Sequence, residues 1–124
     1  MAKRDEKRFN RLDTNIKWLL LRCERCVIPL QGHTLETFSA DLNLIDATSQ
    51  RLRLLGMDAR RFDGALREIY HPEAWEEVIE AGKAIFWDYF KCTPPFLFRV
   101  TTEEVPKIEM ALKTLKKERS GPAN

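Results

Sequence analysis

The first side chains in this sequence that could do chemistry are two cysteines three positions apart, in Cys23-Glu24-Arg25-Cys26. Thiolates at that spacing share a zinc ion, and His33 with either Cys92 or His71 would complete four ligands on paper. Yet both cysteines fall at apolar positions of a strongly helical run, where they serve as small buried apolar residues. No metal and no cofactor is expected. Glu73, Glu77 and Glu80, with Glu76 adjacent, line one side of another helical stretch. Carboxylates so spaced can hold a divalent ion, but di-metal bundles need a Glu-x-x-His on each of two facing helices, which the two histidines do not supply. A solvated acidic face is expected there. The inventory for nucleophilic catalysis is thin: no G-x-S-x-G, no phosphate-cradling glycine loop and no H-E-x-x-H. The chain reads as a non-enzyme.

Arginines offer a second kind of chemistry. From Gln50 to Glu68 the chain passes through Leu-Gly-Met-Asp-Ala-Arg-Arg-Phe-Asp-Gly-Ala-Leu. Gly56 follows a helical run, and Phe62 and Ala65 match inward positions of a following helix. Over about twenty residues this stretch resembles the helix-turn-helix repressors. The resemblance implies that Arg60, Arg61 and Arg67 face outward, towards phosphates or guanine edges. Two departures weaken it: Leu52 stands where that motif wants a small residue, and Arg51 stands where it wants an apolar one. Asp58, Asp63 and Glu68 would also repel phosphate.

Charge is unevenly spread. The net +2 conceals eight basic against four acidic residues in 1–25, eight against thirteen in 26–106, and five against two in 107–124. Helical spacing sets Arg4, Lys7, Arg8 and Arg11 along one side of the first helix, and Lys113, Lys116, Lys117 and Arg119 close the chain. Basic ends can meet a nucleic acid backbone, although Asp5, Glu6 and Asp13 dilute the first of them.

The elements that must position these groups are helices. Phe9, Leu12, Ile16, Leu19, Cys23 and Cys26 recur in steps of three and four, the seam of a packed helix running from near Lys3 to near Val27. Pro29 ends it. Thr34 is a suitable N-cap for a second helix, carrying Leu35, Phe38, Leu42, Ile45, Ser49 and Leu52 and closing at Gly56 as a left-handed C′ residue. Asp58 then caps a short third helix, with Met57 and Phe62 as a hydrophobic staple. Pro72 opens a fourth, whose inner face runs Trp75, Val78 or Ile79, Gly82, Ile85 or Phe86, and Tyr89. Gly82, among such large neighbours, implies a close helix–helix approach.

Pro94-Pro95 ends that helix, and Phe96 to Thr101 reads as extended. A capping box of Thr101 with Glu104 opens a last helix through Val105, Ile108, Leu112 and Leu115. Seven of the twelve aromatic residues fall between Trp75 and Phe98, so this segment is expected at the centre of the core.

At 124 residues, 44% of them hydrophobic and 32% charged, the chain fits one soluble helical domain over 1–119 with a loose tail at 120–124. No apolar run approaches the roughly 20 residues that span a bilayer. The start lacks the apolar stretch of a secretory signal, and an odd number of cysteines suits a reducing, cytoplasmic setting.

The fold expected is mainly α: an irregular bundle of four to five helices, with at most one short strand near Phe96–Thr101. Narrow seams on several helices leave apolar surface over. The function expected is docking onto a protein partner, or onto a second copy as a homodimer. Trp18, Trp87, Phe96 and Phe98 are the candidate contacts, because aromatic anchors dominate interface energetics. The alternative is a small DNA- or RNA-binding regulator using Arg60, Arg61, Arg67 and the basic side of the first helix.

Overall fold

The computed structural model describes residues 2–87 and 92–120, and of residues 2–10 the backbone alone. The molecule is an irregular bundle of helices, and among the described residues no strand occurs. No described helix is long and apolar enough to cross a membrane.

Helix α1 (Ala2–Val27) follows its predicted bounds. Its seam residues Ile16, Leu19, Cys23 and Cys26 are all buried, and the helix packs on two later ones, Leu42–Arg61 and Val105–Arg119. A single 3₁₀ turn over Ile28–Leu30 carries the chain past Pro29. Thr34 then caps α2 (Leu35–Ser39), exchanging hydrogen bonds with Thr37 in a capping box.

The second predicted helix is in fact two. Asp41 accepts a hydrogen bond from Leu44 N–H at 3.0 Å and opens a new helix, α3 (Leu42–Arg61). Helix α3 then runs straight through Gly56, which is a buried interior residue and not a C′ cap. Asp58, read as a cap, lies inside the last turn of α3 and pairs with Arg22 of α1 at 2.9 Å. With no chain reversal at Gly56, the staple of Met57 and Phe62 has no helix start to clamp. The chain turns later, at Phe62. Asp63 caps the four-residue α4 (Gly64–Arg67) by accepting from the N–H groups of Ala65 and Leu66. Left-handed His71, with φ of 53°, makes the next corner.

Helix α5 (Pro72–Trp87) runs back along α3. Trp75 stacks flat on Phe62 at 5.3 Å between ring centroids and donates its indole N–H to the Tyr70 carbonyl. One end of the pair is thus sealed. Further along, Gly56 meets Gly82: a Cβ built on Gly56 would lie 2.9 Å from the Val78 carbonyl oxygen and 3.0 Å from Gly82 Cα. The close approach expected at Gly82 is present, and Gly56 is its other half.

Phe96–Thr101 is helical, contrary to its extended reading. Thr93 accepts from Phe96 N–H and caps α6 (Pro94–Arg99). The proline pair occupies the first turn, where the N–H groups it lacks would have had no helical partner anyway. These prolines therefore start a helix. Whether they also end α5 lies outside the described residues, as do Tyr89, Phe90 and the tail from Gly121.

Helix α6 passes through a π-helical turn over Val100–Glu104 into α7 (Val105–Arg119). Pro106 explains this widened turn. It has no N–H for an ordinary helical bond and its ring crowds the preceding turn, whereas the wider turn lets Val105 N–H reach the Val100 carbonyl. Thr101, read as a cap, is instead wholly buried inside that turn.

Candidate functional site

Among the described residues helices α3 and α5 form the most extensive packed pair, and the site lies along their seam. On α5, Trp75, Ile79, Gly82 and Phe86 follow one stripe, since steps of four, three and four residues return to nearly the same azimuth at roughly 100° per residue. The stripe begins deep in the core, with Trp75 at 1% exposed and Ile79 at 7%. It ends in the open, with Phe86 at 60% exposed and its neighbour Trp87 at 80%. The Phe86 and Trp87 rings meet edge to face at 4.7 Å.

Between this exposed end and α3 lies a groove of about 200 Å³. Its floor is the glycine crossing, Gly56 on Gly82. Its apolar walls are Met57, Ile79, Phe86 and Trp87, and its rim carries Arg53, Arg60 and Lys83. Arg53 is held across α3, with Nε donating to Gln50 at 3.2 Å and Nη1 reaching Met57 Sδ at 3.5 Å. Lys83 pairs with Glu80 at 3.1 Å. Arg60 is exposed and makes no ion pair among the described residues.

Trp18 occupies a second depression on the other flank of α3, with Asn15, Leu19, Asp58, Arg61 and Phe62. It is 56% exposed. The structure thus sets Trp87 beside Arg60 and Trp18 beside Arg61, one pair on each side of the C-terminal half of α3.

Phe96 and Phe98 do not join them. Phe98 packs on Phe38 at 5.4 Å. Half-buried Phe96 lines a third groove between α5 and α6, edged by Glu73, Glu76, Glu77 and Glu80, with Arg99 paired to Glu77 at 2.9 Å.

The remaining candidates are scattered. Arg67 donates from Nε to the Phe62 carbonyl and closes its own turn. Because α3 does not turn at Gly56 and α4 has four residues, the helix-turn-helix frame and its reading helix are not formed. Arg11 is exposed on α1; the side chains of Arg4, Lys7 and Arg8 lie outside the described residues.

Burial pushes both thiols of the Cys-x-x-Cys pair up, Cys26 to about 12 in spite of Arg51 and Arg22 nearby. Thiols so held are poor nucleophiles and poor ligands. Among the described residues no three His, Cys, Asp or Glu side chains are gathered so as to hold an ion.

Sequence reasoning missed Arg53, Met57, Ile79, Lys83 and Phe86 as lining residues. The signal available was the pair of glycines inside two apolar helices, which marks a crossing where the flanking side chains must splay. No protein-family model, no curated protein and no solved structure matches this chain.

Proposed function

We propose that this protein is a docking module that binds a protein partner through the α3–α5 groove, with Phe86 and Trp87 as its anchors. One observation carries the reading: the two aromatic rings stack edge to face beside an apolar groove and remain 60% and 80% exposed. An aromatic side chain buries roughly 150–250 Å² when covered. Only the share still exposed can be covered, about 90–200 Å² per ring, which at about 25 cal/mol per Å² is roughly 2–5 kcal/mol of gross gain, the scale on which interface hot spots are built. Trp18 in its neighbouring depression extends the same surface across α3. The reading needs no catalytic group, and the raised cysteine thiols suit a structural part.

The test is affinity capture from a host extract with the full chain immobilised, with and without nuclease, beside Phe86→Ala and Trp87→Ala. A protein retained after nuclease by the parent chain and lost by both variants is the expected result. Retention of nucleic acid alone, falling steeply as salt rises and counterions are released, would transfer the function to Arg60, Arg61 and the basic side of α1.

A further inference from the structure

Resting on the docking reading above, we infer that the occupant of the α3–α5 groove is an amphipathic helix with acidic flanks, contributed by another protein. Three features of the groove converge on that chemistry. The first is size. A volume of about 200 Å³ falls below the roughly 300–1,000 Å³ of small-molecule and cofactor pockets. It suits an apolar side chain pressed over the Gly56–Gly82 floor, flanked by others on Met57, Phe86 and Trp87.

The second is backbone chemistry. Among the modes by which peptides dock, strand addition needs a free sheet edge and helix docking needs a hydrophobic groove. With no strand among the described residues there is no edge to extend. Two packed helices with an apolar groove along their seam make the second kind of seat.

The third is charge. Arg53, Arg60 and Lys83 rim the groove, and no carboxylate among the described residues lines it. Acidic residues on the partner's flanks would meet these cations as the apolar face is covered, steering the approach and setting its register. A nucleic acid fits less well. The walls are chiefly apolar, and a long polyanion leaving the groove across α5 meets first Glu80, paired with Lys83 at the rim, and then Glu73, Glu76 and Glu77. A short acidic helix can place its carboxylates against Arg53 and Arg60 on the α3 side and need not cross α5.

The experiment is selection of a phage-displayed library of helical peptides, randomised on the face and flanks, on the full chain with counter-selection on Trp87→Ala. Clones that need Trp87 and set Asp or Glu on either side of an apolar i, i+4 pair are the expected result. A synthetic peptide of that type should lose about tenfold or more in affinity against Arg60→Glu, and should regain it when its facing carboxylate is changed to lysine. Trp87-dependent clones that are neutral or basic would overturn the acidic assignment and leave the docking reading standing. An absence of Trp87-dependent clones would sink both. Displacement of the selected peptide by an oligo-dT strand at about 150 mM salt, where the Debye length is about 8 Å, would overturn the choice of a protein over a nucleic acid. Competition by added unlabelled copies of the chain itself would replace the foreign partner with a second copy.

Discussion

Glu109 shows how a single side chain on this bundle is tuned. It projects from α7, 15% exposed, with Lys113 at 4.0 Å. Burial lifts its carboxyl above the ordinary value; Lys113 pulls it back and Glu24 adds to the rise. The folded state therefore holds that proton more tightly than the unfolded chain. The unfolded chain sheds it first as pH rises, so stability falls from the usual value of 4.5 through the raised folded one, and is greatest below both.

Glu109→Gln removes the ionisation and gives up only a half-exposed ion pair worth little. The variant is expected to melt about 1–3 °C above the parent at pH 7, with the advantage gone near about pH 4, as thermal scans across pH will show. The thiols give a second prediction at this scale. Burial raises Cys23 and Cys26 alike, so at pH 8 alkylation of native protein should be slower than that of the urea-unfolded chain by about a hundredfold or more. Comparable rates would show that the α1 seam opens readily.

At the scale of the element, the glycine crossing decides how near α3 and α5 lie. Alanine is the better helix former by roughly 1 kcal/mol, so propensity alone predicts that Gly56→Ala stabilises. Packing predicts the opposite, because the new methyl would meet backbone at 2.9 and 3.0 Å, and backbone cannot swing aside. Overpacking costs typically about 1–3 kcal/mol, and the crossing leaves no direction of relief. Gly56→Ala is expected to lower Tm by roughly 5–15 °C, and Gly82→Ala by less, its nearest contact being 3.1 Å. Gly64→Ala is the control: its only close neighbour is the far end of the Arg67 side chain at 3.6 Å, and its Tm should hold within about 2 °C. If Gly56→Ala proved neutral, the helices would be free to part and the groove would have no fixed floor.

For the molecule as a whole, the three tryptophans separate folding from docking. Trp75 is buried against Phe62, whereas Trp18 and Trp87 stand out in solvent. Trp75→Ala should cost about 3–5 kcal/mol of stability. Trp87→Ala should cost under about 0.5 kcal/mol, as surface substitutions do, while abolishing partner capture. Denaturant titration reads the first quantity and binding the second. A large stability loss from Trp87→Ala would place that ring in the core and remove the anchor on which the docking reading depends.

Much of the helical layout was legible in the residues because caps and apolar steps are local. Thr34, Pro72 and the seam from Ile16 to Cys26 each act within a few residues of themselves. Two misreadings share a cause, namely that proline and glycine permit more than one role. Pro94-Pro95 can stop a helix or begin one, and Thr93 with its side-chain oxygen decided for a beginning. Gly56 can cap a helix or let another pass close by, and only Gly82, twenty-six positions away, chose between them.

The sequence alone therefore determined that this protein is a set of apolar-striped helices with one aromatic-rich member. It could also place Trp75 and Phe86 on one stripe, about 20° apart in azimuth. It could not show that Phe86, roughly 16 Å farther along the axis, stays 60% exposed beside α3. A stripe records direction around a helix, and burial depends on where the neighbouring helix sits and how far it extends. That is a property of two segments meeting in space, so the tertiary structure alone left Phe86 outside, beside the Trp87 read as a contact from sequence, at the mouth of a basic-rimmed groove.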